Sequence, residues 1–257
     1  MVVFDEWAND PSMVHAFSTK NGGVSTGAYA TLNLGFNRGD EAANVLENYK
    51  RVAEFLGVDI GSFVASAQTH KCEVLQVSYD DLGNGILSAN KFKDIDAIYT
   101  TDKGVTLVTY YADCVPLFFY APKHHIIGIA HAGWRGTFGE IGKRMATIWH
   151  EKHCIPYEDM EVVIGPSICK NCFEVHTDVS DIFMQKEIFE QFVVPSSIEG
   201  KFNIDLWACN KKSLESVGIN KISIANRCTC CEEDNFFSHR RSLGIRGSLA
   251  AFMGLIE

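Results

Sequence analysis

Three short segments of the chain contain residue types that bind metals or take part in catalysis. They occupy residues 68–70, 112–114 and 131–136, and each adjoins a short apolar run that is typical of a strand. Their candidate ligands, His70, Cys114 and His131, form a set known from catalytic zinc sites, in which the fourth position is left for water or substrate. The spacings of 44 and 17 positions include no C-x-x-C or H-x-x-x-H pair. Spacing alone therefore leaves open that each is simply a buried residue near a turn.

The remaining cysteines allow more than one interpretation. The chain has 9 cysteines, and its N-terminus lacks the basic and apolar stretches of a secretory signal. We therefore expect a cytoplasmic protein without a disulfide framework. Cys169 and Cys172 form a C-x-x-C pair, whereas Cys228, Cys230 and Cys231 form an irregular group far along the chain. We favour reduced structural thiols here, with a structural zinc site or a redox role as alternatives.

Composition indicates a soluble globular protein and excludes several classes of partner. Of the 257 residues, 46% are hydrophobic and 21% are charged, and the net charge is -9. The densest basic group is the triple at 239–241, so we expect no nucleic-acid partner, which would require clustered Lys and Arg. No apolar run is long enough for a transmembrane helix, so we expect no membrane partner. The absence of linkers and repeats predicts a single domain over residues 1–257.

The apolar pattern predicts a mixture of strands and helices. Short apolar runs separated by Gly, Asn or Asp predict strands at 14–19, 62–67, 74–77, 96–99, 106–110, 115–120, 126–130, 161–164 and 221–225. Apolar residues at intervals of three and four predict a helix at 41–56, and further helices are predicted at 137–150, 179–192 and 206–216. This mixture favours an α/β or α+β fold, a single domain with mixed β-sheets.

Several sequence segments, taken in order, carry a resemblance to a known family. They are F-S-T-K-N-G-G-V-S at 17–25, N-L-G at 33–35, Q-T-H at 68–70, D-A-I at 96–98, A-D-C-V-P at 112–116, A-H-A-G-W-R-G at 130–136, I-G-P-S-I at 164–168, D-L-W-A at 205–208 and F-S-H-R-R at 237–241. The chain resembles the YfiH or laccase-domain family, also called the multicopper polyphenol oxidase family. The resemblance spans nearly the whole chain, and its H-A-G-W-R-G and A-D-C elements are the most specific.

The resemblance implies a fold, a metal and an activity. The fold would have mixed β-sheets and flanking helices, and His70, Cys114 and His131 would bind zinc. The family is similar in activity to purine nucleoside phosphorylases that cleave adenosine, inosine and methylthioadenosine with phosphate, and it also deaminates adenosine. The expected partners are a nucleoside and phosphate, and the expected state is a monomer or small homo-oligomer. A copper-dependent polyphenol oxidase, a hydrolase that edits peptidoglycan precursors and a non-enzymatic zinc-stabilised module are the alternatives.

Substrate binding would require cations for phosphate and polar groups for the nucleoside. Arg135 follows His131 by four positions, and the planar guanidinium suits phosphate. Arg38, Arg240 and Arg241 are further candidates, each with a solvated surface charge as its alternative. Asn33 is a candidate partner of the ribose or the base, with a turn residue as its alternative.

The usual signatures of two of these chemistries are missing from the sequence. Blue-copper laccases hold four coppers with paired H-x-H elements, which this chain lacks, although a site of one cysteine and two histidines can bind Cu²⁺. The H-x-E and P-C-x-x-C signature of zinc deaminases is also missing. Asp113 is a candidate general base, and its alternative role is to cap a turn or to orient a ligand. Ser248 stands where the family often has arginine, and Arg246 lies two positions earlier.

Overall fold

A computed structural model describes residues 1–256 of the chain. The strands in chain order are β1 Met13–Phe17, β2 Phe63–Ala65, β3 Val74–Gln76, β4 Ala97–Thr100, β5 Thr106–Tyr111, β6 Val115–Ala121, β7 Ile126–Ala132, β8 Glu161–Ile164, β9 Glu174–His176, β10 Val193–Pro195, β11 Lys201–Ile204, β12 Lys221–Ile224 and β13 Leu249–Leu255. The α-helices are α1 Ala42–Leu56, α2 Trp134–Phe138, α3 Ile141–His153, α4 Thr177–Met184, α5 Glu187–Glu190, α6 Leu206–Glu215 and α7 His239–Ser242. None of the helices in these residues is both long and apolar enough to cross a membrane.

The strands form three sheets. One has four strands in the order β1-β13-β5-β2, one has six in the order β12-β8-β6-β7-β4-β3, and one has three in the order β10-β11-β9. The two larger sheets are mixed, because β2 pairs with β5, β3 with β4 and β12 with β8 in parallel, while their other neighbours are antiparallel. The three-stranded sheet is antiparallel. The predicted α/β class with mixed sheets and flanking helices is confirmed.

Strand β6 shows how the two larger sheets are layered. Successive residues of a strand point to opposite faces, so neighbouring side chains of β6 enter different parts of the core. Phe118 packs in a cluster with Leu107 and Met253 of the four-stranded sheet. Phe119 packs in another cluster with Trp149 of α3, at a distance of 5.8 Å between ring centroids. Helix α1 packs in a third cluster against the four-stranded sheet. The order of layers is therefore α1, the four-stranded sheet, the six-stranded sheet, and α3 with α6.

All of the predicted strands are confirmed, with ends that differ by at most two residues. Strands β9, β10, β11 and β13 lie outside the predicted set. Strand β13 lies between β1 and β5, and every one of its residues is buried. Its sequence therefore lacks the alternation of apolar and polar residues that marks a strand with one exposed face.

The helices predicted at 41–56 and 206–216 are confirmed, but those at 137–150 and 179–192 are not continuous. The first is replaced by α2 and α3, which are separated at Glu140, a residue with a φ of 55°. Lys186 separates α4 from α5 and donates a hydrogen bond of 2.7 Å to the Glu140 carboxylate. Ser213 of α6 donates to the other oxygen of Glu140 at 3.0 Å. Tertiary contacts with Glu140 therefore accompany both interruptions.

Candidate metal centre and its pocket

The three predicted metal ligands lie together at one edge of the six-stranded sheet. Cys114 ends the turn between β5 and β6, and His131 is near the carboxyl end of β7. Strands β6 and β7 are antiparallel neighbours with Pro116 paired to His131, so the start of β6 lies beside the end of β7. His70 lies in the loop between β2 and β3. The pairing of the strands thus brings together residues that are far apart in the sequence.

The separations between the ligand atoms fit a metal ion. One ligand atom from each of His70, Cys114 and His131 lies within 4.8 Å of the others. The Sγ atom of Cys114 is 3.9 Å from Nε2 of His70. In a tetrahedral zinc site, bonds of about 2.0–2.1 Å to nitrogen and about 2.3 Å to sulfur place these atoms about 3.5 Å apart. His131 is buried, Cys114 is half-buried and His70 is exposed, so the set is open on one side.

Asp96, to which the sequence had given no role, orients two of the ligands. It is fully buried at the start of β4, and its Oδ1 accepts a hydrogen bond of 2.8 Å from Nδ1 of His131. The same carboxylate accepts backbone N–H groups of Thr69, His70 and Lys71 at 3.2, 3.0 and 2.8 Å. Asp96 therefore leaves Nε2 of His131 for a metal and fixes the loop that carries His70. A carboxylate behind a histidine ligand is a common feature of zinc sites.

The ionisable groups of this site shift one another's pKa values. Burial opposes ionisation of Cys114, but the charge of His131 and hydrogen bonds from His131 and His70 lower the pKa of the thiol to about 6. Burial also lowers the pKa of His131, but the Cys114 thiolate and Asp96 outweigh this effect and raise it to about 9. The pKa of Asp96 is lowered because the hydrogen bond from His131 and those from the backbone outweigh its burial. The cysteine is thus in the thiolate form that a metal requires.

Gly133 leaves space for the three ligands. A Cβ atom at this position would lie 3.0 Å from Sγ of Cys114 and 3.0 Å from Cδ2 of His70, and 3.7 Å from Cε1 of His131. The glycine therefore stands directly against the metal-binding atoms, just before α2 begins at Trp134. Ligand types, separations, the supporting carboxylate and this close approach all fit a metal ion such as zinc.

A cavity of about 350 Å³ opens at this site. It is lined by ligand groups, aromatic and aliphatic side chains and two arginines, namely His70, Ala112, Asp113, Cys114, Trp134, Arg135, Ile168, Phe173, Val175, Val179, Leu206, His239 and Arg240. This size and mixture are typical of a pocket for a small molecule. A shallower depression of about 450 Å³ lies near Trp7 and Glu161, far from the metal ligands, and its lining contains neither histidine nor cysteine.

Asp113 lines the cavity, but protein groups already occupy its carboxylate. It accepts hydrogen bonds from the hydroxyls of Thr229 and Ser238 at 2.8 and 3.0 Å, and from the backbone N–H of Arg240 at 2.7 Å. Its backbone carbonyl accepts the N–H of Ile168 at 2.9 Å. These contacts match the alternative role, in which Asp113 holds loops next to Cys114. Its action as a general base stays a prediction.

Two of the predicted substrate-binding arginines line the cavity. Arg135 is exposed, and its guanidinium lies 4.1 Å from the centroid of the Trp134 ring. Arg240 donates from Nη1 to the carbonyl of Cys172 at 2.6 Å and retains other donors. Both cations are thus placed beside the metal ligands, as a site for an anionic substrate requires.

The other three predicted substrate-binding residues do not line this cavity. The side-chain amide of Asn33 donates to the Asp40 carboxylate and accepts the backbone N–H of Ser248, among other contacts. Arg38 is exposed and donates to Oγ of Ser248 at 3.2 Å. Arg241 donates to three backbone carbonyls of the segment that precedes α7. Contact of these residues with a substrate stays a prediction.

Arg246 is a cation whose position the sequence did not explain. Its residue is 9% exposed, and Nη1 donates to the carbonyl of Gly247. Within residues 1–256 its Nε has no hydrogen-bond partner. Burial and the charge of Arg38 lower its pKa to about 10, while the charges of Asp113 and Cys114 act in the opposite direction. A buried guanidinium with an unused donor is costly, so this position favours an anionic ligand.

The chain is similar to known protein sequences along nearly its whole length. The sequence profile described as "Multi-copper polyphenol oxidoreductase laccase" matches residues 14–256. The purine nucleoside phosphorylase YlmD of Geobacillus stearothermophilus is 37% identical to this chain over 249 residues, which cover 95% of this chain and 90% of the relative. The protein of the same name from Bacillus subtilis is 35% identical over 263 residues, which cover 100% and 95%.

Solved structures agree with the sequence comparison. The crystal structure of the YfiH protein of Bacillus licheniformis has a TM-score of 0.92 and 33% identity, and covers 99% of this chain and 96% of its own. That of YlmD from Geobacillus stearothermophilus has a TM-score of 0.87 and 35% identity, with coverage of 96% and 93%. By profile, identity and fold, the chain belongs to the laccase-like YfiH family.

Proposed function

We propose that this protein is a zinc-dependent purine nucleoside phosphorylase. It would cleave adenosine, inosine and methylthioadenosine with phosphate to the free base and a pentose 1-phosphate, and it would also deaminate adenosine. The observation that carries the proposal is the meeting of His70, Cys114 and His131 at the wall of a cavity that also presents arginines and aromatic rings. Relatives named purine nucleoside phosphorylase, at 35–37% identity, support the same substrate class.

The lining of the cavity suits the two substrates. Trp134 and Phe173 offer ring faces against which a purine can stack, and stacking of this kind is favourable for any base. Arg135 and Arg240 offer planar donors to phosphate oxygens. Arg246 does not line the cavity, but it adds a buried positive charge; burial lowers its pKa, and the charges of Asp113 and Cys114 act to raise it. A nucleoside and a phosphate would therefore be held side by side next to the metal ligands.

Phosphorolysis needs the substrates to be positioned and the charge of the phosphate to be balanced. A C1′–O bond to phosphate forms as the bond from C1′ to the purine nitrogen breaks, and the purine leaves with the electron pair and takes up a proton. The arginines would orient the phosphate for attack, and the aromatic wall would fix the base. Asp96 would keep His131 and the loop of His70 in place during the reaction. Zinc at these ligands would supply Lewis-acid chemistry.

The profile description favours a second candidate, a copper-dependent polyphenol oxidase. A multicopper oxidase needs many histidine ligands for its coppers. Within residues 1–256, groups of three or more metal-binding side chains occur at two places, and the second is made of cysteines alone. The histidine content of the clusters therefore supports the phosphorylase over the oxidase.

An incubation of the zinc-loaded protein with inosine or adenosine, with and without phosphate, tests the proposal. We expect free base and ribose 1-phosphate only when phosphate is present. Deamination should in addition convert adenosine to inosine and ammonia. Chromatography separates the nucleosides from the free bases. Cys114→Ser should reduce turnover to background while circular dichroism stays unchanged. Cys154→Ser is the matched control because Cys154 is an exposed thiol at the end of α3, and it should keep full activity.

The opposite pattern would overturn the proposal. If neither nucleoside reacts, and the copper-loaded protein oxidises a phenol, the chain is an oxidase of the kind that its profile names. Hydrolysis to free ribose without any need for phosphate would contradict the phosphorylase but retain a nucleoside substrate. Inosine cleavage without deamination of adenosine would remove only the second activity.

A further inference from the structure

Four cysteine sulfurs meet at a point away from the three predicted ligands. Cys169, Cys172, Cys228 and Cys231 each have Sγ within 4.8 Å of the other three sulfurs. We call this group the four-cysteine cluster. Cys230, which makes the sequence pattern irregular, is not part of it. Without Cys230 the cluster consists of two C-x-x-C pairs, the usual spacing of a structural zinc site.

The sheet topology explains why these pairs meet. Strands β8 and β12 are adjacent and parallel, so their carboxyl ends lie at the same edge of the six-stranded sheet. The first pair follows β8 and the second follows β12. Backbone hydrogen bonds join the two segments on either side of Cys228: the N–H of Ser167 donates to the carbonyl of Arg227 at 3.1 Å, and the carbonyl of Ser167 accepts the N–H of Thr229 at 3.2 Å. Residues 56 positions apart, Cys172 and Cys228, are thereby held together.

The separations between sulfurs agree with a shared metal ion. The Sγ atom of Cys231 is 3.4 Å from that of Cys172 and 3.9 Å from that of Cys169. Four sulfurs at about 2.3 Å from a tetrahedral zinc ion lie about 3.8 Å from one another. A disulfide bond would use only two of these cysteines and bring its sulfurs to about 2.05 Å. Because all four sulfurs lie within 4.8 Å of one another, and not two of them alone, the arrangement favours a metal ion over a disulfide.

Backbone donors stabilise negative charge in the cluster. The N–H groups of Cys169 and Cys231 point at Sγ of Cys228, at 3.3 and 3.4 Å. Hydrogen bonds of this kind stabilise a thiolate, the form in which cysteine binds a metal. A group of four thiolates would repel one another without a cation between them.

We propose that the four-cysteine cluster binds a second zinc ion, closed by four protein ligands and structural in role. The proposal is independent of the proposed function, because it concerns a site with its own ligands and its own readout. Tetrahedral sites with four sulfurs hold zinc or iron, so the test must distinguish the two metals.

The cluster also holds the walls of the active-site cavity. The carbonyl of Cys172 accepts a hydrogen bond of 2.6 Å from Nη1 of Arg240, which lines the cavity. Asp113, next to Cys114, accepts the hydroxyl of Thr229, the residue that follows Cys228. A metal at the cluster would fix both loops, and through them the positions of Arg240 and Asp113.

Metal content measured by mass spectrometry tests the proposal. We expect two zinc ions per native chain and one in Cys114→Ser, which removes a ligand of the other site. The double variant Cys169→Ser/Cys172→Ser should also lose one zinc, whereas the matched control Cys230→Ser should keep both. One zinc per native chain that disappears in Cys114→Ser would overturn the proposal, and so would iron in place of the second zinc.

A measurement on the native chain covers the case in which the double variant fails to fold. Cys154 and Cys231 are both exposed, so alkylation followed by peptide mass spectrometry compares two accessible thiols. We expect Cys154 to be alkylated at least tenfold faster, and Cys231 to reach a similar rate once zinc is stripped with a strong chelator. Equal rates before chelation, or a Cys172–Cys231 disulfide in the freshly purified protein, would overturn the proposal.

Discussion

The three-ligand site and the four-cysteine cluster lie at the same edge of one sheet, yet they differ in composition and access. The first combines two imidazoles with one thiol and borders a cavity. The second is composed of sulfur alone, and its ligands are held by backbone hydrogen bonds. An open position permits substrate chemistry, whereas a closed set contributes folding energy. Number and type of ligands would thus separate the proposed catalytic role of the first from the proposed structural role of the second.

The two sites are joined through Asp113. It precedes the ligand Cys114, and it accepts hydrogen bonds from Thr229 and Ser238, which lie in the segment that follows β12. A change at the cluster should therefore move Asp113 and the wall of the cavity, whereas a change of Cys114 should leave the cluster intact.

Stepwise removal of metal should give the largest contrast. A mild chelator should empty the three-ligand site first, because it has fewer protein ligands, and turnover should fall to background while the unfolding temperature changes little. Stripping the cluster should then destabilise the fold by on the order of 4 kcal/mol, the range expected for loss of a structural metal. Activity, bound zinc and the thermal unfolding temperature, measured on the same samples during chelation, would check this order. Simultaneous loss of both metals with unfolding would contradict the division of roles.

Asp96→Asn should have the next largest effect and should act on the open site alone. The amide cannot accept the hydrogen bonds of His131 and the His70 loop as a carboxylate does, so zinc affinity there should fall about 10–100-fold. Competition with a zinc indicator measures this change. Asp94→Asn is the matched control, because Asp94 lies in the same region and, within residues 1–256, accepts hydrogen bonds from Thr69 and Lys71 but from none of the three predicted ligands. An equal loss in both variants would assign the effect to general loop damage.

Arg246→Lys should give the smallest effect and should separate phosphate binding from metal binding. Lysine retains a positive charge but loses the planar fork of donors, so KM for phosphate should rise about tenfold while zinc content stays constant. Steady-state kinetics at varied phosphate would measure it. Arg144→Lys serves as the reference, since Arg144 is paired with Glu73 on the surface. An unchanged KM would mean that Arg246 does not contact phosphate.

The grouping of His70, Cys114 and His131 could be expected from the sequence because these residues lie in recognisable segments at strand ends, and their binding of a metal stays a prediction. The role of Asp96 could not be expected, because a single carboxylate before a strand has no spacing that reveals its partner, even though its D-A-I segment belongs to the family resemblance. The four-cysteine cluster was disfavoured because Cys230 disturbs the pattern and the pairs are far apart. Their meeting depends on the parallel pairing of β8 with β12, which local sequence does not specify.

The fold shows the same boundary between local and non-local information. Strands with clear apolar runs were predicted to within two residues, since their pattern is local. Strand β13 was missed because burial on both faces removes the alternation, and the breaks around Glu140 and Lys186 were missed because these residues bind each other across 46 positions. Contacts between distant segments decided each of these cases.

Gly133 offers a route to a metal-free reference protein. One added carbon there would stand 3.0 Å from both Cys114 and His70, so Gly133→Ala would fill the space beside the ligands without changing any of them. Its backbone φ of −59° is one that alanine adopts readily, so the crowding would fall on the side chains of Cys114 and His70, which would have to shift away from the added carbon. Such a variant would retain every ligand and every charge of the site, and would separate what the zinc contributes from what the surrounding residues contribute.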